Sequence, residues 1–258
     1  MQRERSVDDP ILAAAACAEA RFVPREYEPN YAYPLLILLH PRGSDEERAI
    51  VSVPALSSRN YIGLSLRGPE ELKRRGRTIG FGWGPEFADP DRPRHLESEF
   101  AGALNPAERV RRFVFEGVRD SIDRIEDSLT ASVREIRRSL NVHTERVFLV
   151  GRGEGAAAAY RLAFSHPERY AGVVAINGWI PAGFAPLVRY DACRSLRVFI
   201  AHGDWNVRPG VSRVLRDARI LHSAGLDTTF RSYPAGGRVT PKMRTDINEW
   251  LIGQCVKA

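Results

Sequence analysis

Lysine, cysteine and long apolar runs are all scarce in this chain of 258 residues. Lysine occurs only at Lys73, Lys242 and Lys257, so all but three of the 38 basic residues are arginine. Cysteine occurs only at Cys17, Cys193 and Cys255. An odd, widely spaced set excludes a disulfide-stapled scaffold, and no metal-ligand spacing is present. Reduced thiols in a cytoplasmic setting are the expectation, with no metal. No apolar stretch approaches the ~18 residues of a membrane span. Ile11 to Ala18 is short and follows Asp8 and Asp9, so it reads as a helix turn rather than a signal peptide.

What is present is ordinary for a globular protein: 43% hydrophobic and 27% charged residues, with a net charge of +6. This excludes wholesale disorder and collagen-like repeats. The length suits one α/β domain or two small ones, with ample capacity for a core. Arginine is always charged and carries a planar donor fork that suits carboxylates and phosphates. The arginines are scattered, however, and no basic run alternates with aromatics. Coding bias on a solvated surface is the simpler reading, and no nucleic-acid partner is expected.

The chain opens with a helix and a lead-in strand near Arg21 to Pro24. Leu35 to Leu39 and Asn60 to Leu66 read as strands buried on both faces. Asp45 to Leu56 between them reads as a short helix or irregular connection. Residues 67–105 are rich in Gly, Pro and Arg without periodicity, so a lid-like or irregular insertion is expected there. A long amphipathic helix then begins at Asn105, with Pro106 in its first turn and Glu108 completing the cap. Its stripe runs from Val110 through Ile122, Ile125, Leu129 and Ile136 to Leu140. Strands at Arg146–Val150, Ala171–Ile176, Leu196–Gly203 and Asp227–Tyr233 then alternate with helices. This predicts a mostly parallel, doubly wound sheet with helices on both faces, in a single domain over 1–258.

The string VFLVGRGEGA, around Gly151, is the most informative. A buried strand leads through a glycine-packed turn into a small-residue helix. Gly151, Gly153 and Ala156 satisfy a dinucleotide fingerprint literally. Its context is wrong, because at least two strands precede it and Asn177 stands where the acidic residue belongs. No nucleotide cofactor is expected. The other chemistry on such a turn is the nucleophile elbow, G-x-S-x-G. Here it reads G-R-G-E-G, so Gly153 stands where the serine would be.

Four strings in order then resemble the phospholipase/carboxylesterase group of α/β-hydrolases, over roughly residues 20 to 253. YPLLILLHPRG is similar to that group's oxyanion strand and loop, and RVFLVGRGEG to its elbow. VFIAHGDWN is similar to the H-G-x-x-D strand end, and FRSYPAGGRV to the Y-x-x-G-H loop. The resemblance implies an α/β-hydrolase fold. It also implies that the nucleophile, acid and base positions are Gly153, Asn206 and Gly237. None carries the residue that acyl transfer requires, and two have no side chain. Pro41 removes an N–H from the oxyanion loop. Arg42 and Glu154 retain theirs as an oxyanion pair. His40 and His202 are expected to be structural.

The same template puts Arg42, Arg152, Arg208 and Arg238 on loops at the carboxyl ends of strands, each beside a motif position. Together with Glu154 and Asp204 they are the candidate ligand-binding residues, and Glu86 is a further internal partner for the arginines. Trp83, Trp179 and Trp205 fall on the same side. No catalytic residue is assigned. The reading is a catalytically degenerate carboxylesterase-like protein that binds a small anionic ligand or a protein partner through the altered cleft. An ester hydrolase using non-standard residues and a structural subunit of a larger assembly stay open.

Overall fold

The computed structural model describes residues 17–89, 117–181 and 190–256. A seven-stranded sheet organises them, in the order β1-β3-β2-β6-β7-β8-β9. The strands are β1 (Glu19–Phe22), β2 (Tyr33–Leu39), β3 (Ile62–Leu66), β6 (Val142–Arg152), β7 (Gly172–Ile176), β8 (Arg197–Gly203) and β9 (Asp227–Tyr233). β1 runs antiparallel to β3, and every other pair in the sheet is parallel.

The pattern of burial explains the apolar runs. Leu35, Ile37 and Leu39 of β2 enter one core, and Leu36 and Leu38 enter the other. Alternation along the strand sends neighbours to opposite faces, so a strand covered on both sides has no place for a polar residue. The first face is covered by α3 (Gly117–Ser139), α4 (Glu154–Ser165) and α6 (Val211–Ser223). The second is covered by α1 (Glu46–Ile50), α2 (Ser52–Leu56) and α7 (Pro241–Val256). A short α5 (Tyr190–Cys193) precedes β8. The expected doubly wound architecture is the one observed.

One expectation needs revision. Within the insertion expected to be lid-like or irregular over 67–105, β4 (Glu70–Arg74) and β5 (Arg77–Gly82) form an antiparallel hairpin, and 90–105 lie outside the described residues. Its tip is a two-residue turn, Arg75-Gly76, with φ of 51° and 74°. Turns with both central residues at positive φ match the twist of paired strands. Trp250 is half-buried and packs against the second core, with its ring edge-on to Phe148 at 6.2 Å. Of the long amphipathic helix, Gly117–Ser139 is described; Ile125, Leu129 and Ile136 are buried as the stripe requires. Its proposed start at Asn105 and the helix before β1 lie outside the described residues.

The connections place a crevice. From β2 the chain moves to β3 on one side, and from β6 it moves to β7 on the other. The loops after β2 and β6 therefore part at their carboxyl ends, where ligands bind in open α/β sheets. β2 and β6 stay in register up to Leu39 opposite Gly151.

The approach of α4 to that crevice depends on a glycine. A Cβ at Gly155 would stand 2.1 Å from the Leu39 carbonyl oxygen and 2.5 Å from that of His40. Backbone cannot yield as a flexible side chain can. Gly155→Ala is therefore expected to cost about 3 kcal/mol, which thermal melting would register as a fall of ~6–12 °C.

Candidate functional site

Gly153 forms the apex between β6 and α4, with φ 56° and ψ −122°. Its N–H donates to the Ile176 carbonyl at 2.9 Å, and its own carbonyl accepts from Ala156 and Ala157. This is the sharp strand-to-helix turn of a nucleophile elbow. A Cβ at Gly153 would meet only Pro41 Cβ, at 3.6 Å. The space for a side chain is present, and the residue supplies none.

Asn206 and Gly237 are neighbours. A Cβ at Gly237 would lie 3.2 Å from Asn206 Oδ1. Asn206 turns its amide to its own loop, donating to the Arg208 carbonyl at 2.9 Å. Arg152, beside the elbow, donates to the Gly237 carbonyl at 2.6 Å and so ties the two loops together. Burial lowers the pKa of Arg152.

Arg42 and Glu154 also meet. Glu154 is the first residue of α4 and its side chain is 2% exposed. It accepts from the Trp83 N–H at 2.7 Å and from Arg42 at 3.3 Å. Arg42 is more firmly held by Glu70, in a two-pronged contact of 2.6 and 2.8 Å. Burial pushes the Glu154 carboxyl up, and the Arg42 charge and Trp83 N–H oppose that push. Glu70 and Trp83 were not anticipated as partners. Their signal in the sequence is weak: both flank a hairpin hidden inside an aperiodic, charged segment.

Glu86 adds a third carboxylate. Its two oxygens are buried and have no hydrogen-bond partner among the described residues. Burial, followed by the charges of Glu70 and Glu154, raises its pKa to about 7. The expected pairing of Glu86 with one of the four cleft arginines is not observed.

The remaining predicted residues lie outward. Asp204, Arg208 and Arg238 are exposed. The four arginines thus divide: Arg42 is neutralised in the wall, Arg152 clamps a loop, and Arg208 and Arg238 face solvent.

His40 is structural, as expected. Its Nε2 accepts from the Gly68 N–H at 2.9 Å, and burial lowers its pKa. Trp83 completes this packing by donating from its indole to the His40 carbonyl at 2.7 Å. His202 is different. It is wholly buried at the end of β8, and neither ring nitrogen has a partner among the described residues. Trp179 is buried, whereas Trp205 is 69% exposed.

Two outcomes follow from these contacts. Arg42→Met leaves Glu154 buried beside a single N–H, and should cost about 2 kcal/mol in chemical denaturation. Arg42→Met/Glu154→Gln should recover most of that loss. Glu86 gives a pH dependence. Its pKa is raised from 4.5 to about 7, so the stability it contributes is complete below about 4.5 and lost as pH rises through about 7. Glu86→Gln should therefore exceed the parent by about 1 kcal/mol near pH 8, and show no advantage near pH 4.

No family model matches the chain. Solved structures do. A Bacillus cereus carboxylesterase superposes with a TM-score of 0.66 at 16% identity, over 93% of this chain and 96% of the other. Arabidopsis thaliana SOBER1 gives 0.64 at 15%, over 87% and 100%. A Mesorhizobium loti carboxylesterase gives 0.63 at 16%, over 86% and 90%. With this sheet order, elbow turn and set of neighbours, the chain has the α/β-hydrolase fold.

Proposed function

We propose that this chain is an esterase-like α/β-hydrolase that has given up hydrolysis and uses its altered cleft to bind an anionic ligand. One observation carries the reading: the elbow keeps its turn at Gly153 while its apex has no side chain. A nucleophile, a base and an orienting group must act together in acyl transfer. Gly153 supplies no nucleophile, Gly237 no base, and Asn206 no charge to stabilise an imidazolium.

Nearby groups do not take over these roles. The Glu154 carboxylate is buried against Arg42 and the Trp83 N–H. Asp204 is exposed. Backbone N–H groups at Arg42 and Glu154 are the remaining parts of an oxyanion site, and without a nucleophile and base they have no acyl-enzyme step to serve.

The ligand class follows from charge. Arg152 stands beside the elbow, Arg208 and Arg238 are exposed at the rim, and guanidinium forks favour carboxylate or phosphate. Arg42 and Glu154 form the wall beneath, and Asp204 sets the edge.

Restoring the triad is the test. The native chain should show no turnover of p-nitrophenyl acetate above buffer. Gly153→Ser/Asn206→Asp/Gly237→His should acquire measurable turnover, because the turn and the neighbouring positions are retained. Native turnover that Glu154→Ala or Asp204→Ala abolishes would overturn the proposal in favour of a hydrolase with non-standard residues.

A further inference from the structure

The carboxyl rim of the sheet exposes apolar and cationic side chains together. After β8, Trp205 is 69% exposed and Val207 81% exposed. This exposure is not that of a loose loop. Asp204 N–H bonds the Tyr233 carbonyl at 2.8 Å, Trp205 N–H that of Ala235 at 2.9 Å, and Asn206 N–H that of Gly203 at 2.8 Å. A pinned turn thus holds a tryptophan in water, where its apolar area gains nothing. Arg208 and Arg238 flank it, and Asp204 is the one acidic side chain of that turn.

The β4–β5 hairpin rises from the same rim, directly after β3. Four of the five residues from Lys73 to Arg77 are cationic. Arg74 and Arg77 are direct cross-strand partners. Like charges in that position repel and weaken the pair. Lys73 is balanced by Glu71 at 2.9 Å, but Arg74, Arg75 and Arg77 have no carboxylate partner among the described residues. Ile79, on the same hairpin, is 50% exposed. β3 and β8 are four strands apart, which puts about 19 Å between the strand axes from which the two features leave the sheet.

We propose that this rim docks on the surface of an anionic phospholipid bilayer. The hairpin arginines and Arg208 and Arg238 would meet headgroup phosphates. Trp205 and Val207 would enter the interfacial layer, where an amphipathic ring with an N–H is at home. Repulsion between Arg74 and Arg77 is relieved by a phosphate between them. The exposed Val207 and Ile79 decide for a bilayer over a nucleic acid, which offers phosphate but no hydrocarbon. The contact is the same whether or not the cleft turns over an ester.

The test uses the full chain and vesicles of phosphatidylcholine, with and without equimolar phosphatidylglycerol, at about 0.1 M salt. Trp83 and Trp179 are buried and Trp250 is half-buried, so a shift in tryptophan emission on binding reports Trp205. Co-sedimentation with the anionic vesicles, a blue shift absent in Trp205→Ala, and little binding to neutral vesicles are expected. Arg74→Gln/Arg75→Asn/Arg77→Gln should weaken binding on the order of a hundredfold, about fivefold per arginine. These side chains are exposed, so the variants should melt as the parent does. Failure to bind anionic vesicles, or equal binding to neutral ones, overturns the proposal. So does tight binding to duplex DNA with no Trp205 shift on vesicles, which would make the hairpin a nucleic-acid contact.

Discussion

The close approach of two backbones holds this site together. The α4 helix starts almost in contact with the end of β2, because Gly155 brings no side chain to the Leu39 and His40 carbonyls. That contact sets where Gly153 turns, where Glu154 is buried, and how near Pro41 lies to the elbow. The ion pair of Arg42 and Glu154 is a consequence of it. A carboxylate at the start of a helix is favoured by the helix dipole, but here the side chain leaves solvent and has to find partners. Arg42 and the Trp83 N–H are those partners. The β4–β5 hairpin, which delivers both Trp83 and Glu70, is therefore part of the wall of the site.

The regular parts of the fold were legible in the sequence because burial on two faces leaves a simple mark. Leu35 to Leu39 could hardly be anything but a central strand, and the last strand, Asp227–Tyr233, was read to the residue. The elbow and the meeting of positions 206 and 237 were legible for another reason. Short motifs with fixed spacing mark places on the sheet through their glycines and strand ends. What failed was the hairpin. Its strands are mostly exposed and strongly charged, so no apolar period betrays them, and an Arg-Gly turn is a less familiar signal than Asn-Gly. With the hairpin went Glu70 and the burial of Trp83, since both depend on contacts distant in sequence.

The arginine excess divides along the same lines. Many arginines lie on solvated surfaces, and several pair with nearby acids, as Arg21 does with Glu135 and Arg59 with Glu26. Exposed pairs of this kind contribute little to stability. Position in the fold, rather than number, gives an arginine its role here. Arg42 compensates buried charge, Arg152 joins two loops, and Arg74, Arg75 and Arg77 crowd one turn. The identical side chain serves as a structural counter-charge, a tether and a concentrated positive field.

The elbow's glycine has one more consequence. A side chain at φ 56° and ψ −122° would hold its backbone in a sparsely populated region, at a cost of order 1–3 kcal/mol. Enzymes accept that cost because the strained residue does chemistry. Glycine occupies the same geometry without it. With glycine at the apex the turn carries no such cost. A serine placed there would have to climb in energy before it gained a function, so the shape of the turn itself favours glycine.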